Sequence, residues 1–393
     1  MELVPSEVVV VATRNKITTL LLGASSLLST KVYAFKLEST KLVFNFFQQD
    51  SKNGKQVYDD SGKEDVTVLE PMLFISTQID EDTNLSAHFI FDTWTAASDT
   101  AIDGNSGASG GGIGNQSRVA GNISYTKGDE LNGWSGSLGI SSEYDYRSLN
   151  FGGQYLKSFA EDNFTIALTP QLYLDQAADY DLINEKTTDF KGRTIVSADL
   201  SASQLLTRSD IIEFGYTHIE MNGMLNSIAS TVKVLDETTD PFKRQGEKLP
   251  ENRSRSALHT KWVHAFSDET AFHLSYRYYQ DNWEIKAQTT EIGMRFTTND
   301  GNGFVMPTLR YHDQSQTKYY QDQFQSQQQF MTSDSDLSDF NLVRVGVQYS
   351  YEGDYKKRFG YDTSLVWGAG LFHGRRSNDL NYNILQLSIG MSF

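Results

Sequence analysis

From residue 35 onward the chain repeats one pattern: apolar side chains at every second position, then a short run of turn-forming residues, then alternation again. Residues 381–393, NYNILQLSIGMSF, show it clearly. Leu385, Leu387, Ile389, Met391 and Phe393 share one face, and Ile384, Gln386, Ser388, Gly390 and Ser392 share the other. Successive side chains of a strand point to opposite faces, so such a segment has one apolar face and one that tolerates water. The same alternation runs through Phe164, Ile166, Leu168, Leu172 and Leu174, and through Phe359, Tyr361, Leu365, Trp367, Ala369 and Leu371. Most of these segments reach the roughly 9 to 11 residues that a tilted strand needs to cross a bilayer. The pattern predicts about sixteen of them.

The connections sort the strands into a topology. After the second, sixth, eighth, tenth and twelfth segments they are tight and polar, at 80–83, 160–162, 207–210, 267–270 and 298–303. Five of the intervening gaps are long: 50–65, 95–115, 175–192, 222–253 and 312–339. Short turns at one end and long loops at the other are the asymmetry of transmembrane barrels, and a soluble sandwich has no reason to show it. The expected fold is therefore all-β: a transmembrane antiparallel β-barrel of about sixteen strands, with short periplasmic turns and long extracellular loops. The glycine-rich run SGASGGGIG at 106–114 is expected in one such loop, because no Lys-Ser or Lys-Thr pair follows it to make a phosphate-binding turn.

Composition narrows the function classes. Tyr and Phe number 20 and 23 against 6 Pro, which suits aromatic girdles at two membrane interfaces. Cysteine is absent, which excludes thiolate chemistry and Cys-based metal sites. The formal charge of −16 argues against a nucleic-acid partner. Arg14 and Lys16 precede an apolar run at 17–28, and Val32-Tyr33-Ala34 offers small residues at the cleavage positions. Residues 1–34 are thus expected to be a secretory signal peptide cleaved near Ala34, and residues 35–393 the barrel, delivered through the periplasm to a bacterial outer membrane.

Several segments carry a resemblance. FDTWTAAS at 91–98, SSEYDYRS at 141–148, DPFK at 240–243 with LPENR at 249–253, YRYYQDNW at 276–283, and LRYHDQ at 309–314 with YY at 319–320 resemble the bacterial outer-membrane family called domain of unknown function 3570. The resemblance implies a barrel without an established activity, and an association with periplasmic flavin-attachment and redox genes. The ending at Phe393 resembles the C-terminal signal of outer-membrane barrels, which implies contact with the barrel-assembly machinery.

The same motifs fall at the long-loop ends of their strands. Asp92, Glu143, Asp145, Arg147, Arg277, Asp281 and Arg310 are expected to form a polar belt at the extracellular mouth, and Glu213, Lys261, His273, Glu291, Arg295 and Arg344 to face the lumen. The seven histidines are scattered, and His259 and His264, five apart, fall on opposite faces. No metal site, cofactor or catalytic residue is expected, and no enzyme. The expected function is a channel or translocation conduit for small or charged solutes. The alternative is a plugged barrel, with 222–253 or 95–115 folded inward, serving as a scaffold or surface-binding partner for a periplasmic or surface protein such as a redox or flavin module.

Overall fold

A computed structural model of the chain describes residues 36–50, 66–94, 116–129, 131–178, 180–181, 186–227, 230–236, 240–298, 301–358 and 360–393. The expected signal peptide, the long connections at 51–65 and 95–115, and the glycine-rich run lie outside the described residues.

Sixteen long strands make the wall. They are β1 Lys36–Asp50, β2 Val66–Asp80, β3 Thr83–Trp94, β4 Gln116–Gly128, β5 Gly133–Ser142, β6 Tyr146–Phe159, β7 Phe164–Ala177 and β8 Lys191–Thr207. They continue as β9 Asp210–Gly223, β10 Asn252–Ala265, β11 Thr270–Asp281, β12 Lys286–Thr297, β13 Gly303–Gln314, β14 Phe340–Glu352, β15 Tyr361–Arg376 and β16 Asn381–Ser392. Each pairs antiparallel with the next, and β1 pairs with β16 from Ser39↔Ser392 to Asp50↔Asn381. Closure leaves no open strand edge, so the ladders satisfy the wall's backbone groups from neighbouring strands, as a bilayer demands, with breaks beside Pro71, Pro170 and Pro307.

The pleat sorts the side chains. Val119, Ile123, Leu138, Ile140, Phe151, Leu168, Leu200, Phe214, Leu258, Val345, Trp367 and Ile389 are large, apolar and exposed on the outside. On alternate positions inside lie small and polar residues, as in Ser135, Ser137, Gly139 and Ser141 of β5. An outer apolar surface of this extent is the face a bilayer covers, and the protein is a transmembrane barrel. Girdle aromatics pair across neighbouring strands, for example Tyr125 with Trp134 at 5.5 Å and Tyr349 with Trp367 at 4.9 Å.

Two strand ends have a local cause. β5 stops at Ser142, because the Glu143 N–H donates to the Tyr146 carbonyl at 2.7 Å and closes a tight turn. β11 stops at Asp281, whose carboxylate accepts the backbone N–H groups of Trp283 at 3.0 Å and Ile285 at 2.9 Å. An aspartate that captures the amides two and four residues ahead turns the chain where hydrophobic alternation would let it run on. At the other end the β4–β5 turn requires a glycine: Gly128 has φ +114°, and a Cβ there would lie 2.2 Å from the Asn132 carbonyl oxygen.

The long connections carry structure of their own. Thr231–Asp236 and Asp240–Gly246 form a hairpin between β9 and β10. A 3-10 turn at Ser335–Leu337 lies between β13 and β14, with the Asp334 side chain accepting from the Asp336 N–H.

Candidate functional site

The lumen wall holds ionisable side chains in cross-strand groups. At the long-loop end of β2 to β4, Asp92 lies opposite Arg118, and Asn45 opposite Glu70. Arg118 donates through Nε to Asp92 Oδ1 at 3.1 Å and through Nη2 to Asp92 Oδ2, and its Nη2 lies 3.6 Å from Glu70 Oε2. The flat guanidinium matches the carboxylate's two oxygens, so the pair fixes geometry as well as charge. Glu70 is 0 % exposed and Asp92 4 %. Glu143, in the turn after β5, is held near this group. Its carboxyl is raised to about 7, chiefly by burial, with Arg118 opposing the rise and Asp145 and Asp92 adding to it. Burial raises the carboxyl of Asp145 as well.

Around the wall the pattern repeats. Asp175 accepts from the Tyr146 hydroxyl at 2.6 Å and from Arg193 Nε at 3.4 Å. Asp281 accepts from Arg253 Nε at 2.8 Å and from the Tyr279 hydroxyl at 2.8 Å, and the Arg253 guanidinium lies over the Trp283 ring at 4.3 Å. Arg344 donates to Glu291 at 2.7 Å, with Arg310 3.9 Å from the same carboxylate. Deeper, Lys261 donates to Glu213 at 2.7 Å, with His259 between Glu213 and Asp199 at 3.5 and 4.0 Å.

These groups show where each expected residue sits. Glu213, Lys261, His273, Glu291, Arg295 and Arg344 all lie on inward positions. Glu213 pairs with Lys261 and Glu291 with Arg344, Arg295 packs over Phe304 at 4.4 Å, and the buried His273 Nε2 has no hydrogen-bond partner among the described residues. The expected mouth belt is divided. Asp92, Glu143 and Asp145 share one sector, while Arg277 and Asp281 stand on β11 and Arg310 on β13. Arg147 leaves the belt altogether. The early start of β6 places it on the outer face, paired with Gln176, where it lies over the Phe190 ring at 4.3 Å. Of the partners that organise the belt, Glu70, Arg118, Asp175 and Arg193 stand outside the motifs singled out in the sequence, while Arg253 closes the LPENR segment at 249–253. Phe393 packs edge-on against Tyr361 with centroids 6.0 Å apart.

Above β9 to β15 the two longest described connections fold together. Val232 and Val234 of the hairpin pack with Phe324 and Met331 from the β13–β14 connection, and Leu249, Trp283, Ile285 and Leu337 form a second buried cluster. Thr332 donates to Glu247 at 2.5 Å and Ser227 to Asp334 at 2.8 Å, joining the connections by polar contacts as well. Arg376 at the end of β15 anchors the assembly by donating to Asp336 at 2.6 Å while lying over the Phe340 ring at 3.8 Å. The loops thus make an ordered cap on one sector of the mouth.

On the outer face, Ser256 Oγ lies 3.0 Å from His218 Nδ1, and His218 Nε2 lies 2.9 Å from Glu220. The linkage is that of nucleophile, base and orienting acid. Both neighbouring ladders hold the surrounding backbone N–H groups, so no pair of amides faces a developing oxyanion. The group lies on the outer face toward the long-loop end of β9 and β10. Among the described residues no three His, Asp or Glu side chains converge as a metal site.

A family model described as "Protein of unknown function (DUF3570)" matches residues 17–364. No curated protein matches the chain. Among solved structures, the chain is similar to a bacterial polysaccharide outer membrane secretin at 9 % identity and a TM-score of 0.48, covering 90 % of this chain and 98 % of that one. It is also similar to OccAB1 of Acinetobacter baumannii, at 10 % identity and a TM-score of 0.44 over 90 % and 96 %. A loop-deletion mutant of OmpT, an outer membrane protein of Vibrio cholerae, matches at 8 % identity and a TM-score of 0.42 over 91 % and 99 %.

Proposed function

We propose that this chain, which belongs to the family described as "Protein of unknown function (DUF3570)", is an outer-membrane conduit that passes small charged solutes through its lumen. The observation that carries the reading is the inward wall: ionisable side chains of both signs, held in pairs from β2 to β14, line the interior of a closed sixteen-strand barrel. A barrel of this strand number encloses room for water, and paired charges along a wet wall exchange hydration with passing ions at little cost. The reading assigns the protein no reaction. Its membrane partners are outer-membrane lipid on the apolar girdle and the assembly machinery through Phe393. The test is single-channel recording of the refolded barrel in planar bilayers. Stable conductance steps support the conduit, and a folded barrel that carries neither current nor solute flux in liposomes refutes it.

The capped sector favours a second reading, a scaffold whose loops fill the mouth and receive a surface or periplasmic partner. If removing the hairpin at 231–246 opened conductance in a silent barrel, the scaffold reading would gain; an open wild-type pore counts against it. Family resemblance adds a periplasmic redox or flavin module as the partner to seek by copurification.

A further inference from the structure

Arg255, Arg344 and Arg376 of the capped wall each bury an Nε without a partner among the described residues, but Arg344 and Arg376 donate to carboxylates through Nη, whereas Arg255 has no carboxylate of its own. It alternates with the inward residues Arg253 and Ala257 on β10 and lies opposite Ile219 of β9 and Asp281 of β11. Its Nε is buried without a hydrogen-bond partner among the described residues. The carboxylate nearest in register is already committed: Asp281 Oδ2 takes Arg253 and Tyr279, and Oδ1 takes two backbone amides. The Asp175 carboxylate holds Arg193 and Tyr146 through Oδ2, and its Oδ1, buried without a hydrogen-bond partner among the described residues, does not reach Arg255 either. Arg193 and Arg253 are near enough for their charges to act on Arg255. Among the described residues, three guanidiniums therefore meet two carboxylates, and one positive charge is left over beneath the cap.

A guanidinium keeps its proton at any working pH and cannot shed the cost of burial by neutralising. Unpaired ionisable groups inside a membrane protein are costly and mark ligand or ion pathways. The fork of N–H donors matches two oxygens of a planar or tetrahedral oxyanion.

We propose that Arg255, flanked by Arg193 and Arg253, is an oxyanion-binding site at the long-loop end of the lumen, taking the carboxylate or phosphate group of a small solute. The site gives the proposed conduit a substrate class, anionic solutes, and rests on that reading only for the route they take. Selectivity then follows the lumen wall and opposes the acidic charge of the whole chain.

The full barrel, folded in detergent and checked by its heat-modifiable gel shift, is titrated calorimetrically with sodium acetate and with sodium phosphate at constant ionic strength. Wild type is expected to give saturable heat with at least one. Saturation by acetate alone assigns a carboxylate, and by phosphate alone a phosphate. Arg255→Gln should weaken binding about tenfold or more, the loss of one charge-assisted contact. Arg255→Lys, which keeps the charge and loses the fork, should fall between. Arg255→Gln should also leave resistance to urea unchanged or higher, since it removes a buried charge without a partner, whereas a purely structural arginine would lower it. No saturable heat from wild type, or equal affinity in Arg255→Gln, overturns the site. The two proposals separate cleanly. Saturable binding by a barrel that carries no current keeps the site and ends the conduit, while conductance without binding keeps the conduit and ends the site.

Discussion

Leu168→Arg tests the facing of the whole wall at one position. Leu168 is 42 % exposed on β7, within the outward run Phe164, Ile166, Leu168, Pro170, Leu172 and Leu174. The four residues from Phe164 advance roughly 14 Å along the strand, and a tilt of about 40° leaves roughly 10 Å along the membrane normal. Half of an apolar band about 25 Å tall is about 12 Å, so Leu168 stands close to the midplane. An arginine there should cost about 2 to 4 kcal/mol. Thr169, one residue on, points into the lumen and receives Gln154 at 3.4 Å. Thr169→Arg puts the same group into water and should cost less than about 1 kcal/mol. Urea unfolding of each variant from liposomes, followed by tryptophan fluorescence, measures the difference. Equal losses, or a neutral Leu168→Arg beside a damaging Thr169→Arg, would refute the assignment of inside and outside.

The cap and the mouth give further tests. Phe324, 0 % exposed in the loop core, should lose about 3 to 5 kcal/mol of local stability on change to Ala; limited proteolysis should then cut the 224–251 and 315–339 connections while the gel shift of the barrel persists. Glu143 carries a pH signature. Its carboxyl is raised to about 7 by burial, so between its ordinary value of 4.5 and about 7 the folded state holds a proton that the unfolded state has lost. Stability from this group should fall as pH rises through that window and level off above it. Glu143→Gln should remove that part of the slope in urea titrations at stepped pH, and an unchanged slope would place Glu143 in water.

The strand pattern was readable because it is local: each outward Leu or Phe sits two residues from the next, whatever it pairs with. The sixteen strands, the closing pair β1 and β16, and the side of long loops follow from that periodicity and from turn chemistry. The charged groups are a different kind of information. Asp92 meets Arg118 across 26 residues and Glu291 meets Arg344 across 53, and register decides which arginine an acid finds. Register turns on turn length, and the early closure at Glu143 alone moved Arg147 from the expected belt to the outer face. The cap was hidden for the same reason. Val232 and Phe324 belong to connections whose sequence reads as polar loop, and their apolar residues have meaning only once two distant connections lie side by side.

Charge poses a question of range, and salt can answer it. The chain carries a formal −16, but the wall of β8 to β14 leaves Arg255 over, while on β2 to β4 Arg118 answers Asp92. The lumen wall therefore carries a local positive excess inside an envelope that is acidic overall. Exposed charges act over a Debye length, about 30 Å at 0.01 M salt and about 3 Å at 1 M. At low salt the acidic surface reaches the mouth and should favour cations. At high salt it is screened, and only the wall within contact distance still discriminates, where Arg255 favours anions. Reversal potentials at one fixed gradient ratio, centred first near 0.01 M and then near 1 M, should move from cation preference toward anion preference. Arg255→Gln should abolish the shift at the high-salt end and leave the low-salt end alone. A preference that ignored ionic strength would mean that surface and wall are not separate sources of selectivity, and the division drawn between them would fail.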